Sequence, residues 1–295
     1  MTDTPKTDKI PQQVFDLYDE YCHGHLSRRG FFEGLGKYAV GGLTVSSLAA
    51  CVLPDYSQMQ TEPGEDDLYE ETLVYPSPNG AGEMGGYFVR PDNVNGELPG
   101  IVVIHENRGL NPHIRDITRR VAKAGYVAFA PDALSPLGGY PGNDDDGRAL
   151  QTQRDRNEMI EDFMAGAAFL RDHAAVNGKV GCVGFCFGGA VANMMAVRLP
   201  WLSAAVAYYG GWPTAEQAGY VAVPLQIHLA GLDERVNAGW PAYKAALDAN
   251  DVEYEAYIYP GVQHGFNNDT TSRYNEAAAT LAWSRTLDFF SRQLG

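Results

Sequence analysis

From about Glu70 onward, short continuous apolar runs alternate with longer stretches in which apolar residues recur every three or four positions. The first pattern predicts buried strands and the second amphipathic helices. Glu70–Tyr75 and Met84–Arg90, joined by Pro-Ser-Pro-Asn-Gly-Ala-Gly, predict an opening antiparallel hairpin. Further strands are expected at Gly100–His105, Tyr126–Ala130, Lys179–Val183, Ala204–Tyr209, Leu225–Ala230 and Tyr254–Tyr259. Helices are expected at Ile114–Ala124, Arg148–His173, Ala190–Leu199, Trp240–Ala249 and Ala277–Gln293. Between them, Ala133–Gly147 reads as a long loop. Its Asp144-Asp145-Asp146 run lacks the alternating spacing and distal glutamate of a calcium loop, and is expected to be solvated. Strands alternating with helices of this length specify an α/β fold, a mostly parallel central sheet with helices on both faces. Chemistry in such sheets gathers at the carboxyl ends of the strands.

The N-terminal part has a different texture. Residues 11–24 predict a helix with Val14, Leu17, Tyr18 and Tyr21 on one face. Cys22, His23 and His25 stand at its end, but three donors without a fourth nearby make a poor metal site. Ser27-Arg28-Arg29-Gly30-Phe31-Phe32 and the mildly apolar run to Leu53 resemble a twin-arginine export signal, and Leu48-Ala49-Ala50-Cys51 resembles a lipoprotein processing site. The competing reading is a retained helical hairpin with Ser27 as an N-cap; Glu33 and Lys37 interrupt the apolar run, and the preceding region is acidic. The balance tips narrowly to export, a periplasmic rather than cytoplasmic location, with membrane attachment only if Cys51 is lipidated. The run is too broken by glycine and charge for a permanent span. Residues 1–53 are thus an extension, 54–68 a polar linker and 69–295 the α/β domain.

Candidate chemistry centres on Gly184-Phe185-Cys186-Phe187-Gly188-Gly189. An apolar strand precedes it and a helical run follows, which is the context of a nucleophile elbow. The glycines allow a strained turn and close approach of strand and helix, and the central residue, here a thiol, is presented at a helix N-terminus. Asp233 follows the strand ending in Gly231, and His264 follows Tyr259-Pro260-Gly261. The two stand 47 and 78 residues after Cys186, in the order nucleophile, acid, histidine found in α/β-hydrolases. His264 is the candidate base and Asp233 its orienting acid. The Phe187 N–H is the first candidate oxyanion donor and the Asn107 N–H the second. Glu106 stands at a strand end beside that site, where a carboxylate would oppose a thiolate or accept its proton. His105 is expected to pack or to fix the loop.

The charge narrows the partners. With 22 basic and 37 acidic residues the formal charge is −15, which disfavours nucleic acid and anionic membrane surfaces. The cysteines at 22, 51, 182 and 186 form neither a CxxC pair nor a zinc spacing, and no disulfide framework is expected.

The elbow, together with His105-Glu106-Asn107-Arg108-Gly109, Gly231-Leu232-Asp233 and Pro260-Gly261-Val262-Gln263-His264-Gly265-Phe266, resembles the dienelactone hydrolase (carboxymethylenebutenolidase) family of α/β-hydrolases. The resemblance covers the chain from about Glu70 to its end. It implies a Cys186–Asp233–His264 triad, with Glu106 partnering the resting thiol and releasing it when substrate arrives. It also implies hydrolysis of a small lactone or ester through a thioester-linked enolate or acyl intermediate, without metal or organic cofactor. Two positions depart from the family pattern of a serine directly after the histidine and an arginine four residues after it: Gly265 and Asn268 stand there. A second carboxylate-binding arginine is expected near Gly139–Asp146, where Arg148 is the nearest. The expectation therefore widens from dienelactone to esters and lactones generally, with Arg108, Tyr140, Tyr209, Arg235 and Trp240 as pocket candidates. The alternatives are a non-catalytic binding protein of this fold, or a thioesterase or thiol peptidase using the same residues. A homo-oligomer is left open.

Overall fold

A computed structural model describes residues 10–295. The extension forms three short helices, α1 (Gln12–Cys22), α2 (Arg28–Gly36) and α3 (Val45–Val52). Ser27 caps α2 by accepting from the Gly30 N–H, and Thr44 and Ser47 form a reciprocal capping box on α3. Helices this short are not stable alone, so their packing must hold them. Val14, Tyr18, Phe31, Leu35, Leu48 and Val52 supply it as a small core of their own, which also encloses Cys51. The Arg28-Arg29 pair lies on α2, where Arg28 pairs with Asp145 at 3.4 Å and Arg29 with Glu33 at 2.8 Å. No helix among the described residues is long and apolar enough to cross a membrane.

The rest is an eight-stranded sheet. Its strands are β1 (Leu68–Ser77), β2 (Gly82–Pro91), β3 (Leu98–Ile104), β4 (Val127–Pro131), β5 (Val176–Phe185), β6 (Ala204–Tyr208), β7 (Leu225–Ala230) and β8 (Tyr254–Tyr259), in the order β1-β2-β4-β3-β5-β6-β7-β8. β1 and β2 form the expected hairpin, β2 also meets β4 antiparallel, and the remaining pairs are parallel. Alternate residues of β3 enter opposite cores: Val102 and Ile104 on one face, Ile101 and Val103 on the other. This burial on both faces is why the middle strands read as unbroken apolar runs. Helices α4 (Pro112–Lys123) and α11 (Glu276–Leu294) cover one face through Ile114, Ile117, Ala282 and Phe289. Helices α6 (Arg156–Arg171), α7 (Phe187–Arg198) and α10 (Trp240–Ala249) cover the other through Phe163, Val191 and Leu247.

Two expectations need correction here. The helix expected over Arg148–His173 is two helices, α5 (Asp144–Gln151) and α6, because Asp155 accepts from the Asn157 and Glu158 N–H groups and caps a new start. The aspartate run is not a solvated loop but the first turn of α5, where carboxylates meet free helical N–H groups. It is also the dock for the extension. Asp144 accepts from Arg108 at 2.7 Å, Tyr56 at 2.6 Å and Tyr140 at 2.8 Å, while Asp145 accepts from Tyr21. Arg108, buried between the two units, also reaches the Tyr18 hydroxyl and the Cys22 sulfur.

Removing one side of a buried charged pair strands the other, at a cost of about 3 kcal/mol or more. Arg108→Ala is therefore expected to lower the free energy of unfolding by roughly that amount and to speed labelling of Cys22 by a thiol reagent. Urea titration and residue-resolved labelling check this; an unchanged midpoint with Cys22 still protected would contradict it.

Candidate active site

β5 runs into Cys186, and α7 starts at the next residue. Cys186 has φ 55° and ψ −112°, a left-handed conformation that costs a non-glycine residue about 1–3 kcal/mol. The surrounding glycines make the turn possible. A Cβ on Gly184 would lie 1.9 Å from the Gly188 carbonyl oxygen, and one on Gly188 would lie 2.2 Å from the Ile104 oxygen. The Cys186 N–H donates to the Tyr208 carbonyl at 3.0 Å, tying the turn to the neighbouring strand. The Phe187 N–H and the Asn107 N–H have no protein acceptor among the described residues, and both residues line the same cavity as Cys186. The Asn107 loop is fixed by His105, which contacts the Glu106 carbonyl at 2.6 Å and accepts from the Ala133 N–H at 3.1 Å.

Asp233 ends the turn after β7 and caps the short α9 (Glu234–Asn237). One carboxylate oxygen accepts from the Val236 N–H at 3.1 Å, and the other meets His264 Nδ1 at 2.6 Å. With Nδ1 so held, Nε2 is the free ring atom, and it is buried without a partner. Cys186 Sγ and ring nitrogens of His264 and His23 lie within 4.8 Å of one another. The Tyr209 ring packs 4.9 Å from the His264 ring.

Electrostatics favour charge separation. Burial pushes the Cys186 thiol up, but the His264 charge and hydrogen bonding from His23 outweigh it and bring the thiol down to about 6. Burial pushes His264 down, but the Cys186 thiolate and the Asp233 carboxylate raise it to about 10. Asp233 is held below the usual carboxylate value because its bond to His264 and that cation's charge outweigh its burial. The thiolate is lost as pH falls through about 6, and the imidazolium as pH rises through about 10, so the pair persists between these limits.

Glu106 is buried, and its Oε2 accepts from Asn268 Nδ2 at 3.3 Å. No hydrogen bond joins it to Cys186 among the described residues, so the expected thiol–glutamate contact is corrected: the sulfur's partner is His23 Nε2, 3.6 Å away. His23 Nδ1 contacts the Asp19 carbonyl at 2.8 Å, and Nε2 also meets Arg235 Nη2 at 2.9 Å. Sequence reasoning missed this role, since it registered His23 only as a spare ligand. Cys22, His23 and His25 do not converge: Cys22 faces Arg108, and exposed His25 pairs with Glu20.

A cavity of about 470 Å³ opens beside Cys186, walled by both units. Of the pocket candidates, Tyr209 and Arg235 line it. Arg108 and Tyr140 do not, because Asp144 engages both, and Trp240 instead packs on Trp212 at 5.4 Å. Arg148, Arg154 and Arg156 stand on the wall; the last two were hidden by reading α5 and α6 as one helix. Two groups could hold a metal by donor type, Cys186 with His23 and His264, and His113 with Asp116 and Asp269. Each already has a guanidinium against it, Arg235 in the first and Arg120, bonded to both carboxylates, in the second.

A mostly parallel sheet with a thiol at a strand–helix elbow, and an acid and a histidine on later strand ends, defines an α/β-hydrolase. Residues 84–294 match the model of the dienelactone hydrolase family, and the chain belongs to that family. Residues 1–40 match a second model, described as YqhI-like. The "Putative carboxymethylenebutenolidase" of Synechocystis is 34% identical over 242 residues, covering 76% of this chain and 98% of that protein. The "Putative hydrolase fragment YghX" of Escherichia coli K12 is 54% identical over 114 residues, 38% of this chain and 97% of that fragment. Among solved structures, a "Putative Dienelactone Hydrolase" from Klebsiella pneumoniae superposes with a TM-score of 0.66 at 27% identity, over 76% of this chain and 99% of its own.

The ion pair makes a pH prediction. Alkylation of Cys186 by iodoacetamide is expected to titrate with a midpoint near 6 rather than near the thiol's ordinary 9.0. His264→Ala removes the cation, so the rate at pH 7 should fall roughly 100-fold. A wild-type midpoint above 8 would contradict the assignment.

Proposed function

We propose that this protein hydrolyses a small carboxylic ester or lactone, with Cys186 as nucleophile, His264 as proton carrier and Asp233 as the group that orients and stabilises the imidazolium. The observation that carries this reading is the 2.6 Å Asp233–His264 contact behind a thiol held at a strained elbow. The thiolate sulfur attacks the ester carbonyl, and the electron pair of the C=O bond moves onto oxygen. The Phe187 and Asn107 N–H groups suit that oxyanion, together with the N-terminus of α7. As the carbonyl re-forms, the C–O bond breaks and the His264 imidazolium gives its proton to the leaving alkoxide. In a lactone that alkoxide stays tethered to the acyl chain. A thioester on Cys186 remains; neutral His264 then takes a proton from water, the hydroxide adds, and the C–S bond breaks to return the thiolate and release the acid.

The cavity volume suits a small acyl group. Arg156, on the cavity wall, stacks over the Phe187 ring at 5.5 Å, which favours a substrate bearing a carboxylate or another acceptor away from the reacting bond.

Cys186→Ala is expected to lower kcat/KM for activated aryl esters by at least about 1,000-fold, and Asp233→Asn by about 100-fold or more through the wrong imidazole tautomer. Steady-state hydrolysis of a panel of aryl esters and lactones checks both. Retained turnover in Cys186→Ala would refute the reading.

A further inference from the structure

The extension ends its first helix on the nucleophile. His23, immediately after α1, places Nε2 3.6 Å from Cys186 Sγ, within hydrogen-bonding reach of the sulfur that also faces His264. His23 Nδ1 meets the Asp19 carbonyl at 2.8 Å with the Asp19 carboxylate 3.5 Å behind, so an acid–imidazole couple faces the sulfur from each unit of the protein. The backbone before it is pinned to the α/β domain: Asn107 donates to the Cys22 carbonyl, Arg148 to the Tyr21 carbonyl, and Arg108 to the Tyr18 hydroxyl. Three anchors within five residues fix the ring's position. The Glu106 carboxylate, buried in the loop after β3, is turned to Asn268.

We propose that His23 is a second catalytic imidazole on the Cys186 sulfur, supplied by the N-terminal helical unit, which is thereby a working part of the active site. The inference rests on the proposed role of Cys186. Its chemistry needs no outside reagent. Donation from Nδ1 to a carbonyl leaves one lone pair on Nε2, to which Arg235 Nη2 donates in this structure; when Arg235 moves off and the sulfur carries its proton, neutral His23 accepts from S–H and keeps the sulfur aligned with the cavity. When His23 takes a proton, the electron pair stays on sulfur, and the imidazolium donates back to the thiolate with Asp19 behind it. The other charged and titratable groups around the ring are Arg235, 2.9 Å away on α9 and partly exposed, the His264 ring at 5.2 Å, and the His25 ring at 6.4 Å. Arg235 must therefore shift when Nε2 is protonated.

The test uses the full-length protein carrying His23→Ala, His23→Gln, Cys186→Ala or, as control, His25→Ala, with melting curves for each. His23→Ala is expected to lower kcat for an aryl ester by roughly tenfold or more with little change in KM, the scale of a hydrogen bond to a charged atom. It should also slow Cys186 alkylation at pH 6.5 by about tenfold and move its pH midpoint upward. His23→Gln keeps the reach and should recover part of the alkylation rate; it supplies the reading if His23→Ala does not fold. His25→Ala should match wild type. Cys186-dependent activity with wild-type kcat and an unmoved alkylation profile in both His23 variants would overturn this inference alone. A rise in KM with no change in the profile would also overturn it, reducing His23 to a wall of the cavity. Turnover surviving in Cys186→Ala would instead remove the nucleophile itself and the inference with it.

Discussion

A backbone forced through Cys186 at φ 55° is the constraint on which the rest depends. It is held there by packing too tight for any side chain: Gly184 against Gly188, Gly188 against the end of β3, and Gly189 against β6. Three elements of the sheet and one helix thus meet at a point that only glycine can occupy, and the sulfur is left standing above it. Strain of about 1–3 kcal/mol at one residue is small beside the burial of two sheet faces that maintains it. The same convergence aligns the start of α7 with the loop after β3, so the free N–H groups and the thiol face one cavity without side-chain help.

Charge is arranged on this frame with the same economy. A buried thiolate alone would be unfavourable, and so would a buried imidazolium. Together, with Asp233 behind the ring, each stabilises the other, and burial strengthens their attraction. A second acid–imidazole couple, Asp19 and His23, faces the same sulfur from the end of α1, outside the sheet. Its placement depends on Arg108 and the α5 aspartates, a buried polar seam that joins the two units beside the elbow.

The α/β domain was legible because its signals are local. The elbow shows as glycines at fixed offsets between a strand and a helix, and Asp233 and His264 sit just beyond strand ends where such sheets keep their chemistry. What could not be read depends on contacts far apart in the chain. Glu106 lost its expected partner to Asn268, 162 residues away, and Arg108 was claimed by Tyr18 and Asp144 rather than by the pocket. The break between α5 and α6 rests on one capping aspartate, Asp155, within a pattern otherwise continuous enough to read as a single helix. Nothing local in α1 says that the residue after it will touch a sulfur 163 positions on.

The most direct measurement is the intact mass of the protein quenched during turnover of a slowly deacylating activated ester, followed by peptide mapping. An acyl group on Cys186 at a stoichiometry matching the burst, absent from Cys186→Ala, is the result expected. Turnover at the same rate with no covalent adduct, or an adduct on a residue outside the elbow, would contradict the account.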